Sequence, residues 1–329
     1  MASLHDVAKL AGVSKSTVSR VVNNEYGVKQ ATKDKVQKAI DELGYQTNLV
    51  AKELKSQKTN LIGVIVPRVA SSATSQGVDG LSRVFDNAGK QVLLASTQQS
   101  FQKEIEFIRL FNQKRVEGII LYATHLDEEL VEIILQSAAP VVLVGQDGSL
   151  FNIPSIVHDD FRVGFEAGNR LISSGCSNVG FIGVASSDIA VDKLRYQGLE
   201  QALQFKRKGE PLFHSRGEFT IDSGYQQAKQ LLAEHTNLDG LFCATDRIAI
   251  GAVKAIQERG LIAGSDIKVL GVGNDELGSV SSPSISTFNY PFDKAGESAA
   301  NLLIDLLSGE PATMSKIVLT FQTIDRETC

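Results

Sequence analysis

The chain has 329 residues, of which 43% are hydrophobic and 22% charged, and a formal net charge of −5; this is the composition of a globular protein with one or two sizeable cores. No apolar run reaches the ~18 residues of a membrane span, and MASLHDVAKL has no apolar leader core, so a cytoplasmic protein without membrane contact is expected. Cys176, Cys243 and Cys329 are odd in number and the five histidines are scattered, which argues against a disulfide framework, a metal centre or a cofactor site.

The first element in chain order is the stretch SLHDVAKLAGVSKSTVSRVVN, residues 3–23. Ser3 and Asp6 have the S-x-x-D spacing of a helix N-cap, just before the apolar positions Val7, Ala8 and Ala11. Gly12 supplies a sharp turn, and Ser14 can cap a second helix whose Val18, Val21 and Val22 share one face. The opposite face carries Lys15, Ser16, Ser19, Arg20 and Asn23, side chains suited to phosphate oxygens and base edges. Two short helices about a glycine, the second with a basic polar face, make a helix-turn-helix pattern for the DNA major groove. An ordinary small helical bundle with a solvated face would have the same composition. Charge distribution favours the DNA-reading alternative: residues 1–60 hold ten Lys/Arg and six Asp/Glu, whereas the remainder holds 23 and 32.

A third helix is predicted from Ala31 to Leu43, with Val36, Ala39, Ile40 and Leu43 in helical register and Gly44 as its stop. The next segment, Asn48 to Asn60, has Leu49, Val50, Ala51 and Leu54 but no core of its own, and reads as a marginal helix acting as a linker. From Leu61 the texture changes to short apolar runs: LIGVIVP, QVLLAST, GIILY, PVVLVGQ, NVGFIGV, GLFCAT and KVLGVG. Segments of helical period separate them, as expected for parallel sheets covered on both faces, with ligands bound beyond the carboxyl ends of the strands. Periodicity leaves one large sheet and two lobes both open.

Several motifs extend along the chain: DVAKLAGVSKSTVSRVVN, Tyr45, the Asn48…Ala51…Leu54 pattern, VHDD at 157–160, ATDRIAIGA at 244–252 and PSISTFNYPFDKAGESA at 283–299. Together they resemble the lactose-repressor/galactose-repressor (LacI/GalR) family of bacterial regulators over the full length, most of all sugar-operon repressors of sucrose or trehalose type. The resemblance implies an α/β protein with an N-terminal three-helix helix-turn-helix domain, residues 1–46, and a hinge helix and linker, residues 47–59. It further implies a two-lobed periplasmic-binding-protein-like effector and dimerisation domain with parallel sheets, residues 60–329. Lobe 1 would take about 60–157 plus 288–318, and lobe 2 about 158–287 plus 319–329, with three crossovers between them. A homodimer would read a pseudopalindromic double-stranded operator.

Carried over by the same resemblance, Lys15, Ser16 and Arg20 would read bases, while Thr17, Ser19, Asn23, Thr32 and Tyr45 would contact phosphate. Asn48, Ala51 and Leu54 would form the hinge contact, with Leu54 wedged into the minor groove. Three departures stand out: Thr47 in place of a usual proline, Lys52 in place of a frequent arginine, and Lys29 in place of a common capping serine, which leaves the cap to Ala31–Thr32. The effector pocket would be lined by Arg68, Ser71, Ala73, Thr74, Lys193, Arg195, Phe219, Asp246 and Asn274. Arg195 would grip ligand hydroxyls and Phe219 would stack on a ring; Asp246 could equally cap the helix that begins near Ile248. Gly273-Asn274 replaces an aspartate that usually follows this strand. That loss predicts a cationic pocket near Arg68, Lys193, Arg195 and Arg247, able to take a sugar phosphate as well as a neutral sugar.

The function expected is a transcriptional repressor of a sugar-utilisation operon, released from its operator by a small sugar or sugar phosphate, sucrose-operon type being favoured. The alternatives are a catabolite-control regulator acting with a protein co-regulator and a sugar-binding receptor without a repressor role. An enzyme is disfavoured because G-x-S-x-G, G-x-x-x-x-G-K-[ST] and H-E-x-x-H are all missing, and because His158-Asp159-Asp160 reads better as a turn than as acid–base machinery.

Overall fold

The structure is a computed structural model that describes residues 2–23, 25–45, 59–206, 212–309 and 315–329. The expected hinge positions Thr47, Asn48, Ala51, Lys52 and Leu54 lie outside the described residues. Residues 1–59 and 60–329 form two separate compact units.

The N-terminal unit contains α1 (Leu4–Ala11), α2 (Lys15–Val22) and α3 (Gln30–Leu43). Ser3 and Asp6 cap each other reciprocally: the Ser3 N–H donates to the Asp6 carboxylate at 2.8 Å and the Asp6 N–H to Ser3 Oγ at 3.4 Å. Gly12 ends α1 in the left-handed region, φ +66°, and Ser14 accepts the Thr17 N–H to start α2. Val7, Ala8, Val18, Val36 and Ala39 form the buried core, with Leu43 and Tyr45 packed against it. One expectation is corrected here. Lys29, not Ala31–Thr32, occupies the N-cap of α3, and no side chain caps that end; Thr32 already lies inside the first turn. A cap must precede the helix so that its side-chain oxygen can accept from a free N–H in the first turn that follows.

In the larger unit, β1 (Leu61–Val66), β2 (Gln91–Ser96), β3 (Gly118–Tyr122), β4 (Val141–Val144), β5 (Ser155–His158) and β11 (Lys316–Leu319) form one parallel sheet in the order β11-β5-β4-β3-β1-β2. A second sheet has the order β12-β10-β9-β8-β6-β7, built from β6 (Val179–Gly183), β7 (Leu212–Arg216), β8 (Gly240–Cys243), β9 (Lys268–Val272), β10 (Ser286–Asn289) and β12 (Gln322–Ile324). Two lobes, each a six-stranded sheet, thus replace the single large sheet left open above. The parallel rule has one exception, since β12 runs antiparallel to β10.

Helices α4 (Ser72–Asn87), α5 (Phe101–Gln113), α6 (Glu128–Leu135) and α12 (Phe292–Leu307) belong to the first lobe. The second contains α7 (Asp160–Ser173), α8 (Arg195–Lys206), α9 (Ile221–Glu234), α10 (Asp246–Glu258) and the short α11 (Glu276–Val280). Interior strands are apolar on both faces because helices cover both: Ile62, Val64 and Val66 of β1 face α4 and α12, while Ile65 faces the α5 side. The chain passes between lobes three times, from β5 into α7, from β10 into α12 and from β11 into β12. Three short links therefore hold the lobes side by side, with the carboxyl ends of both sheets at a common cleft. Among the described residues no helix is long and apolar enough to cross a membrane.

Candidate functional sites: a helix-turn-helix face and an inter-lobe cleft

On the N-terminal unit, Lys15, Ser16, Arg20 and Asn23 are exposed along α2, and Thr17, Ser19, Thr32 and Tyr45 are half-buried beside the core. The amphipathic spacing causes this: Val18 is fully buried, so residues on the far side of the helix must face solvent. Arg20 lies 3.9 Å from Glu25, both largely exposed, so any phosphate or base contact by Arg20 competes with that carboxylate. Tyr26, which sequence reasoning passed over, is fully exposed in the turn that follows.

In the larger unit, loops at the carboxyl ends of both sheets line an inter-lobe cavity of about 210 Å³. Its floor is a buried polar cluster. Arg195 and Asp160 are 5% and 3% exposed, and Asp160 Oδ1 accepts from Arg195 Nε at 2.8 Å and Nη2 at 2.6 Å. The Tyr290 hydroxyl donates to the same oxygen at 3.0 Å, and Arg195 also donates to the Ala244 carbonyl. Asp160 opens α7 and Arg195 opens α8; the two helices cross tightly because Gly164 has no side chain. A Cβ at Gly164 would stand 2.0 Å from the Arg195 carbonyl oxygen. His158 packs against Tyr290 in a tilted pair with ring centroids 4.4 Å apart and meets Phe292 edge-on. Burial, with the Arg195 charge in support, presses its pKa down to about 4, so the ring is neutral at neutral pH. His158 Nε2 and the Tyr122 hydroxyl are buried, have no hydrogen-bond partner, and belong to cavity-lining residues. A buried polar atom without a partner carries a desolvation cost that a ligand hydroxyl can relieve.

Two contacts among the described residues span the cleft. Gln146 of the first lobe donates to the Thr124 carbonyl at 3.1 Å and to Asp188 Oδ1 of the second lobe at 3.2 Å. Arg68, after β1, lies over the Phe219 ring, 5.0 Å from its centroid. Asp188 and Asp246 are both pushed up to about 6, in each case chiefly by burial. Asp246 binds its own lobe together: Oδ1 accepts from the Thr287 hydroxyl at 2.6 Å and Oδ2 from the Asp275 N–H at 2.7 Å. The cap of α10 is Thr245, so the capping alternative for Asp246 does not apply.

Of the residues expected at the effector pocket, Arg68, Ser71, Ala73, Thr74, Arg195, Phe219 and Asp246 line this cavity. Lys193 and Asn274 do not. Lys193 is exposed on a π-helical turn, Ile189–Leu194, in which the buried neighbour Asp192 takes the inward position and pairs with Arg216 at 2.8 Å. Asn274 has φ +51°, and its Oδ1 accepts from Arg326 Nη2 at 2.6 Å. The left-handed turn instead brings Asp275 to the cavity, where it accepts from Arg247 Nε at 3.1 Å. The expectation of a cationic pocket around Arg68, Lys193, Arg195 and Arg247 is therefore corrected. A carboxylate is present one position later, and Asp160, Asp188, Asp246 and Asp275 stand among the lining residues with Arg68, Arg195 and Arg247. Tyr122, Gln146, Asp188 and Phe292 were missed by sequence reasoning, and only their positions just after apolar strands or at a crossover could have signalled them.

Fold and site together define a helix-turn-helix head linked to a two-lobed ligand-binding body. A model of the lacI family of bacterial regulatory proteins matches residues 3–48, and one of a periplasmic binding protein-like domain matches residues 169–329. The sucrose operon repressor of Staphylococcus xylosus is 34% identical, covering 93% of this chain and 94% of its own. Catabolite control protein A of Priestia megaterium is 32% identical over 96% of each chain. The lac repressor dimer bound to operator and the anti-inducer ONPF superposes with a TM-score of 0.90 at 28% identity, over 99% of this chain and 98% of that one. The chain belongs to the lacI family and is a DNA-binding transcriptional regulator.

Proposed function

We propose that the protein is a cytoplasmic repressor of a sugar-utilisation operon that binds its operator as a homodimer and releases it when a small sugar or sugar phosphate enters the cleft. The observation that carries this reading is the cleft floor. Arg195, held by Asp160, and the partnerless polar atoms of His158 and Tyr122 form a rigid, neutralised bed of donors and acceptors between two mobile-capable lobes. Phe219 offers an apolar ring face of the kind a sugar's C–H face packs against. Kinship to a sucrose operon repressor supports the operon class at 34% identity. Lys15, Ser16 and Arg20 are assigned to base edges, and Thr17, Ser19, Asn23, Thr32 and Tyr45 to phosphates.

The mechanism follows from linkage. A ligand shifts DNA affinity only as far as it binds one lobe arrangement better than another. Ligand contacts to His158 and Gln146 of the first lobe and to Arg195 and Phe219 of the second would favour a particular closure of the cleft. The test is to select a DNA site for the protein in vitro, then titrate the complex with sucrose, fructose, glucose, trehalose and their phosphates. Release by one of them, abolished by Phe219→Ala, is expected. Indifference of the complex to the whole panel would overturn the reading.

A further inference from the structure

At the amino ends of its strands, away from the cleft, the first sheet holds a second polar cluster. β1 lies between β2 and β3, and Lys90 and Glu117 are the residues just before those two neighbours begin. Their side chains, 17% and 13% exposed, form an ion pair that spans the start of β1. Here the body receives the chain from the head, since the boundary between the two units falls between Thr59 and Asn60. The same Glu117 carboxylate accepts the Asn60 N–H at 2.8 Å, and the Asn60 carbonyl accepts the Gln91 N–H at 2.8 Å. The Leu61 carbonyl in turn accepts the Glu117 N–H at 2.8 Å. Between these bonds Asn60 sits at φ +54°, in a left-handed conformation that costs most side chains energy and that asparagine tolerates better than others. Asn60 is itself exposed. The angle at which the chain leaves the sheet is therefore fixed by bonds to both neighbouring strands rather than by packing.

We propose that Lys90, Glu117 and Asn60 form a positioning clamp that sets the direction in which the linker leaves the body, and with it the half-site spacing that two heads can read at once. The inference rests on the homodimeric reading above, in which two heads engage one operator. Linking two binding modules raises affinity only where the link lets both reach their sites, and a stiff link confines that gain to a narrow range of spacings. The linker sequence reads as a short helix, and a helix carries the direction of its root, whereas a coil of the same length loses it. One inserted base pair moves a half-site by about 3.4 Å along the duplex and about a tenth of a turn around it, a displacement that a pinned exit resists. A loosened exit spreads the heads over more positions. Affinity then falls at the best spacing, and the dependence on spacing flattens.

Fluorescence anisotropy of the full-length protein tests this on four DNA probes: the site selected in vitro, that site with one or with two base pairs inserted between its half-sites, and a single half-site. Wild type is expected to lose about tenfold or more on each insertion. Glu117→Ala removes the clamp, and Asn60→Gly keeps the left-handed bend while freeing the backbone. Each should bind the uninterrupted site several-fold less tightly and lose only about threefold or less on insertion. Glu117→Gln, which keeps an oxygen for the Asn60 N–H, should fall between them and wild type. Affinity for the single half-site should match wild type throughout, which general damage to the protein would not allow. Asn60→Gly leaves the ion pair intact, so the test holds even where Glu117→Ala folds poorly. A spacing profile unchanged from wild type in either folded variant would overturn the clamp and leave the dimeric repressor standing. Equal loss on all four probes, or a wild-type protein indifferent to insertion, would overturn it as well. A selected site without two half-sites would overturn the dimeric reading and this inference with it.

Discussion

Replacing Arg195 by methionine removes both guanidinium bonds to Asp160 and strands a carboxylate that is 3% exposed, with the Tyr290 hydroxyl as its one remaining side-chain partner. Breaking a buried ion pair on one side costs about 3–5 kcal/mol, because the surviving charge keeps its desolvation penalty and loses its compensation. Against a total of roughly 5–15 kcal/mol, Arg195→Met should remain folded in the cold but melt much earlier. Adding Asp160→Asn removes the stranded charge and still offers Tyr290 an acceptor. The double variant should therefore regain most of the loss, with a coupling of about 2–3 kcal/mol between the two sites. Urea unfolding of wild type, both single variants and the double variant gives that coupling directly. Strictly additive costs, or a single-variant loss below about 1 kcal/mol, would refute the view of Arg195–Asp160 as one buried unit. At low temperature, Arg195→Met and the double variant should both keep operator affinity and lose the effector response. The consequence for experiment is practical: loss of response in an arginine single variant at 37 °C would mix unfolding with lost ligand contacts, and the double variant separates them.

Two further outcomes are expected. Arg20→Ala should weaken the selected DNA site by about 1–3 kcal/mol and random DNA far less, whereas Glu25→Gln, which frees Arg20 from its 3.9 Å neighbour, should strengthen both; equal loss on both DNAs in Arg20→Ala would make Arg20 a phosphate contact only. Glu104, buried with Oε2 partnerless and its pKa pushed up from 4.5 to about 7, prefers to be protonated in the folded state. The stability it contributes is complete below pH 4.5 and is lost as pH rises through 7, so Glu104→Gln should gain on wild type across that window, by up to about 3 kcal/mol at pH 8. Melting curves for the two proteins that stay parallel from pH 4.5 to 8 would rule this out.

Much of the molecule was legible because its causes are local. The Ser3–Asp6 cap, the turn at Gly12 and the apolar stripe through Val18 depend on neighbours within one or two turns, so sequence alone located α1 and α2. The strands noticed first were β1, β2, β3, β4, β6, β8 and β9, which lie mostly inside the sheets and carry near-continuous apolar runs. Strands β5, β7, β10, β11 and β12 are only three to five residues long, and β7, β11 and β12 are half-exposed edges without such runs; they become strands by pairing with partners far along the chain. Arg195 and Phe219 stood out by motif, yet what Arg195 touches was not written in its neighbourhood: Asp160 is 35 residues away and Tyr290 another 95.

The sequence by itself determined the helix-turn-helix head, the change to apolar strands and covering helices at Leu61, and the kinship those patterns carry. Tertiary structure alone decided which strands pair in each sheet, that Asp275 rather than Asn274 lines the cleft, and that Arg68 reaches it without an ion pair among the described residues. The physical reason is range. Capping and amphipathic period act over a few residues, whereas burial, charge pairing and the left-handed turn at Asn274 acquire their effect only when three crossovers bring distant segments to one cavity.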